Sequence, residues 1–220
     1  MAGTYLLDLT GASEDHAATG DLDLNGDTVT IANTSGGTIS IDGDNADRVF
    51  DVGPLSAAQL TLTGVTIQHG NPAPDPDSGI RGGGIRVRPS SSLAADSVTI
   101  TNNMYGGVGY RGTVTLTNSA VTNNGSGVSA DAVSVSNSDI SNNGTDEPGI
   151  SGGVVTISNS TVNNQGWDHL GEPHGVHHRS EQQHDQWQQP LGHRGGGFRR
   201  RRATRQHLQQ YDQRIYSPAR

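Results

Sequence analysis

The sequence contains no cysteine, which excludes a disulfide framework and any thiolate metal centre and leaves the redox compartment unmarked. Aromatic residues make up 4% of the 220 residues and hydrophobic residues 30%, too few for a thick core of large side chains. A core, if present, must be thin and repetitive. No apolar run approaches the roughly 20 residues needed to cross a bilayer, and Met1 is not followed by the basic and apolar regions of a secretory signal. Lysine is missing as well. Up to Gln165 the chain holds 5 Arg against 17 acidic residues, a balance that should repel nucleic acid.

Beyond Gln165 the composition changes abruptly. The 15 Asn of the chain all lie before that point, whereas 9 of its Gln, seven of its 9 His and 9 of its Arg lie after it. The boundary divides a body, residues 1–166, from a tail, residues 167–220.

What the body has in abundance is glycine, asparagine, serine, threonine and a period. The segments "LTLTGVTIQHGN" from Leu60, "VTLTNSAVTNNG" from Val114, "VSVSNSDISNNG" from Val133 and "VTISNSTVNNQG" from Val155 share one pattern. Each is an alternating stretch, then Asn-Ser, a second stretch, then Asn-Asn. The Asn-Asn pairs begin at Asn102, Asn123, Asn142 and Asn163, a period of about 20 residues. Val, Ile and Leu alternate with Thr and Ser, the two-residue period of a strand buried on one face. Short strands repeating at that period fit the coils of a solenoid, because one unit can bury its apolar face only against the next. Six to eight coils are expected between Leu6 and Gly166. The Asn pairs, or the residues just after their first members, are expected to stack at one corner and to satisfy buried backbone groups.

These repeats resemble right-handed parallel β-helix proteins of bacterial surfaces, among them polymorphic outer-membrane and adhesin-like proteins. The opening "AGTYLLDLTGASEDHAATGDLDLNGDTVTI", Ala2 to Ile31, is similar to the segment that follows the CSLREA motif in many of them. The motif itself is absent, so the pattern begins part-way. The resemblance implies an all-β right-handed parallel β-helix, a cell-surface or extracellular location, an adhesive or scaffolding role, and a surface carbohydrate or other cell-surface ligand. Open β-helix ends would favour self-association.

The tail invites other readings. "GGGFRRRR", Gly195 to Arg202, suggests RNA binding, and "HGVHH", His174 to His178, a metal tract. Yet aromatic interleaving and ligand spacing are both missing. Read with the first nucleotide dropped, the codons of Glu181 to Gln189 permit "SNSTINGNN" and those of Gln206 to Gln213 permit "NTSNNTIN", both close to the body's own motif. A frameshift near Gln165, giving a disordered tail, is therefore the expectation.

Four places in the body could carry chemistry. Asp21, Asp23, Asn25, Gly26 and Asp27 imitate a calcium loop, but Ala32 stands where a bidentate Glu is needed, and a strand and turn is expected. Asp42, Asp44, Asp47 and Asp51 with Arg48 could form the acid and base of a polysaccharide hydrolase or lyase; solvated turn acids are expected instead. Arg86 and Arg88 should share one strand face, with Val87 inward and only Asp75 and Asp77 nearby. His69 reads as a turn residue. No catalytic residue, metal ligand or cofactor is assigned, and the expectation is a non-enzyme.

Overall fold

The computed structural model describes residues 2–9, 11, 15–73, 82–144 and 149–163. Among these described residues seventeen strands follow one another in coils. The first coil is β1 (Gly3–Leu6), β2 (Leu22–Leu24) and β3 (Thr28–Ala32), and the second is β4 (Ile39–Asp42), β5 (Phe50–Val52) and β6 (Gln59–Thr63). The third is β7 (Thr66–Gln68), β8 (Ile85–Val87) and β9 (Ser92–Asp96), and the fourth β10 (Thr99–Thr101), β11 (Val108–Tyr110) and β12 (Thr113–Thr117). Then come β13 (Ala120–Thr122) with β14 (Val128–Ser136), β15 (Asp139–Ser141) with β16 (Ile150–Ser158), and β17 (Thr161–Asn163).

All pairings are parallel, and each strand pairs with its counterpart one coil on. One sheet runs β1-β4-β7-β10-β13-β15-β17, seven rungs. The other two faces are stacked from the remaining strands, and they fuse where β14 and β16 run unbroken across both. This is the solenoid that the alternation demands. Ile67, Ile100, Val121 and Ile140 lie in register and fully buried, and so do Leu60, Leu93, Val114 and Val133. Each β-branched or Leu side chain covers the one below it, so the core is a set of columns one residue wide.

The expected period holds in the later coils and fails in the earlier ones. A turn advances 21 residues from Ile100 to Val121, 19 to Ile140 and 22 to Val162, but 36 from Tyr5 to Ile41 and 33 from Ile67 to Ile100. Loops account for the difference. The insert with Asp75 and Asp77 falls in the longer third turn and, like the tail, lies outside the described residues.

Two polar ladders fasten the corners. Asn103 and Asn124 are buried, each donating from Nδ2 to the Asn Oδ1 of the next coil, at 2.9 Å to Asn124 and 3.0 Å to Asn143. The same oxygens accept the backbone N–H of Asn103 and Asn124, at 3.0 Å each. The second Asn of the pairs at 102, 123 and 142 therefore forms the ladder. The first, Asn102, Asn123 and Asn142, adopts φ of 55° to 57°, a left-handed turn that Asn tolerates better than other side chains. In the third coil Gly70 takes the ladder position; its N–H donates to Asn103 Oδ1, and a Cβ there would collide with the Gly83 carbonyl.

Asn-Ser divides its labour in the same way. Asn118, Asn137 and Asn159 turn left-handed, while Ser119, Ser138 and Ser160 point inward, their Oγ atoms accepting N–H groups of Val98, Ser119 and Ser138 at 3.0 Å. Each hydroxyl also donates to the carbonyl two residues before it. The inward hydroxyl thus serves a backbone donor of the neighbouring coil and a carbonyl of its own, which explains why the dipeptide recurs.

Candidate functional site

Several charged residues of the first three coils gather on the outer face of β2, β5 and β8. Register places Leu22, Phe50 and Ile85 in one inward column and Leu24, Val52 and Val87 in another; between them Asp23, Asp51 and Arg86 form an outward column. Arg88, two residues beyond Arg86, lies on the same side. Both arginines reach Asp51: Arg86 donates from Nε at 2.9 Å and from Nη2, and Arg88 from Nη2 at 2.9 Å and from Nε at 3.2 Å. Arg88 Nη2 also lies 3.3 Å from Asp15.

An outward column would ordinarily be wet, but this one is covered. Residues 15–21, in the long connection from β1 to β2, lie across it. Asn25 donates to the Asp15 carbonyl at 2.7 Å, the Ala17 N–H donates to Asp23 at 2.8 Å, and Asp21 pairs with Arg48 at 2.7 Å. As a result Asp51 is 1% exposed and Arg86 4%, with Asp21, Asp47 and Arg48 also buried. The expectation of solvated turn acids is corrected for Asp42, Asp47 and Asp51; Asp44 alone of that group is exposed. The turn sits beneath one connection and against the ladder corner, a position that residue type does not disclose.

Burial and charge push these carboxyls in opposite directions. Asp51 is raised by burial, but hydrogen bonds from Arg88 and Arg86 and the charges of Arg86 and Arg48 outweigh it and hold the carboxyl below its ordinary value. Asp21 is pushed up to about 8 by burial, helped by Asp47, Asp23 and Asp51 and opposed by Arg48. Two carboxyls with divergent proton affinities are what acid–base chemistry uses. Here, however, Asp51 is engaged by two guanidinium groups and covered.

The pair sets a pH dependence of stability. Asp51 stabilises the fold above its unfolded pKa, and that contribution is lost as pH falls through its lower folded value. Asp21 binds its proton more tightly folded than unfolded, so stability declines as pH rises from about 3.8 to about 8. The denaturant midpoint is expected to fall over that interval and to fall less in Asp21→Asn. An equal fall in the variant would assign it to another group.

The calcium-loop residues part company. Asp21 turns to Arg48, Asp23 accepts from Ala17, Asn25 ties Asp15 to the Leu55 N–H, and Gly26 makes the turn at φ 80°. Leu22–Leu24 and Thr28–Ala32 are strands, as expected. Carboxylate oxygens of Asp15, Asp23 and Asp51 do approach within 4.8 Å of one another. Arg88 bridges Asp15 and Asp51, so a cation there would meet a guanidinium already in place. Asp15 was missed by sequence reasoning because it belongs to no repeat.

At the ladder corner Asp42 accepts from Gln68 at 2.8 Å and from the Asp44 N–H at 2.9 Å, and its Oδ2 lies 2.9 Å from His69 Nδ1. Burial raises the Asp42 carboxyl, but these bonds outweigh it and lower it overall. His69 is a turn residue, as expected, in the left-handed conformation (φ 54°) that Asn102 has one coil on. Nearer the first coil, a cavity of about 130 Å³ lies between Leu6–Leu9 and Ala17–Leu22, smaller than the roughly 300 Å³ at which ligand pockets begin.

Residues 55–178 match the family model described as the right handed beta helix region. That match spans coils of the described body and runs past the composition break at Gln165. No curated protein and no solved structure matches the chain. Parallel rungs, inward aliphatic columns and a family match over more than half the sequence agree, and the chain belongs to the right-handed parallel β-helix family.

Proposed function

We propose that this chain is a non-catalytic β-helix protein of the cell surface or extracellular space, adhesin-like or a scaffold, that works by presenting rigid faces to a ligand. The observation that carries this reading is the internal use of its charges. Asp51, Arg86 and Arg88 bind one another, and Asp21 binds Arg48, beneath residues 15–21. Acid and base catalysis requires two carboxyls with room for a substrate between them. The resemblance to bacterial surface proteins supports the location. Strand edges at β1, where Tyr5 is 60% exposed, support self-association as well.

A polysaccharide lyase or hydrolase is the second reading. It is favoured by one feature, the convergence of Asp23, Asp51 and Arg86 from successive coils on a single outer face. Incubation of the purified chain with pectate, alginate and related polymers in the presence of Ca²⁺ separates the two. Neither unsaturated product nor new reducing ends are expected. Turnover that disappeared in Asp51→Asn or Arg86→Gln would establish the enzyme instead.

A further inference from the structure

Unlike the charged face, the face made by β3, β6, β9, β12 and the second halves of β14 and β16 is open and nearly free of charge. Its strands read TVTIA, QLTLT, SLAAD and TVTLT, then AVSVS and VVTIS at the ends of β14 and β16. Inward positions hold the aliphatic core; the outward ones are mostly Thr and Ser, and all are exposed or half-exposed. Of three outward positions on each of six rungs only Asp96 is charged, in a body with 17 acidic residues.

The columns keep register from rung to rung. Thr61 stands over Thr30, and Thr115 lies beside Ala94 and Ser134. Thr63, Asp96, Thr117 and Ser136 form the next column, with Ser136 donating to Thr117 Oγ1 at 3.3 Å. Hydroxyl and methyl groups therefore repeat every ~4.8 Å along the solenoid and about 6.7 Å across it. That is a two-dimensional lattice held by backbone hydrogen bonds, with little freedom left to lose on binding.

We propose that this face binds ice. Water bonded tetrahedrally at about 2.75 Å has second-neighbour oxygens about 4.5 Å apart and a layer repeat of about 7.3 Å. The mismatch along the solenoid is about 0.3 Å per rung, so five steps accumulate about 1.5 Å, a third of one repeat. The face therefore matches ice closely over two or three neighbouring rungs, and across the solenoid each step falls about 0.6 Å short of the layer repeat. Threonine suits the task because its hydroxyl joins the water lattice while its methyl excludes disordered water. No aromatic ring lies among these positions to stack on sugar rings or anchor a protein, which favours water over those occupants. Asp96 and Ala94 on β9 interrupt the lattice, as do Ala32, Gln59, Ala132 and Val154 on the other rungs, and Asp96 is held at its edge by Asn118 at 2.9 Å.

This inference rests on the reading of the chain as a presenter of faces. The full chain, mixed with serum albumin and frozen slowly from one end, is expected to be carried into the ice while albumin is rejected, and to slow recrystallisation of fine-grained ice. Thr115→Arg should abolish both effects. Thr122→Arg, the same change on the other sheet, should leave them intact, and Asp96→Thr should strengthen them, with circular dichroism and melting confirming the fold of each. Rejection of the unaltered chain together with albumin would overturn the proposal, as would equal losses in Thr115→Arg and Thr122→Arg. Binding to crystalline cellulose or chitin without incorporation into ice would overturn it in favour of a carbohydrate ligand. Polysaccharide turnover by a chain that still enters ice would defeat the non-catalytic reading and leave the ice face standing.

Discussion

Asp51→Ala is expected to lower the unfolding free energy by about 3 to 5 kcal/mol, the usual cost of removing one partner from a buried ion pair. The acid is almost wholly removed from solvent, and it accepts two bonds from Arg86 and further ones from Arg88. Removing it takes two bonds from a guanidinium that is 4% exposed and takes away the carboxylate shared with Arg88. Most of the loss is the penalty for leaving that buried charge poorly compensated rather than the worth of the pair. Asp51→Leu combined with Arg86→Met should therefore recover much of it, since an apolar pair of similar size often replaces a buried ion pair without cost. Urea titration of each variant measures this, with an unchanged slope showing that the folded state is comparable. A loss below about 1 kcal/mol in Asp51→Ala would mean that water reaches the pair, and the covering role of residues 15–21 would fall with it.

The second large effect is expected at Asn124. Its Oδ1 accepts from the backbone N–H and Nδ2 of Asn103, and its Nδ2 donates to the Ile100 and Thr122 carbonyls as well as to Asn143. Asn124→Ala breaks both directions of the ladder inside the core and should cost about 3 kcal/mol, the upper end for leaving buried groups unsatisfied. Asn123 is the informative neighbour. Its side chain touches the Thr122 hydroxyl at 3.5 Å, and its contribution is the left-handed turn at φ 57°. Asn123→Gly should change stability by a few tenths of a kcal/mol, because glycine accepts that conformation freely. Equal melting temperatures for Asn124→Ala and Asn123→Gly would remove the ladder as a stabilising device.

The sequence by itself determined the solenoid. Alternation of Val, Ile and Leu with Thr and Ser sets the buried face of a strand locally, and a period of about 20 residues from Asn102 onward forces each strand to pair with its own counterpart. The Asn corner was legible for the same reason, since a left-handed turn and a side chain able to bond the backbone are needs of one short stretch. Which Asn of each pair turns and which stacks was settled only by the backbone's path through the corner. The charged face was out of reach altogether. Asp51 meets Arg86, 35 residues further on, and Asp15 meets Arg88, 73 residues further on, and the early coils advance 36 and 33 residues where the later ones advance about 20. Uneven loops erase the period that would have aligned those residues. Whether an acid in a turn faces water or a guanidinium depends on what another coil lays over it, and only the tertiary structure decides that.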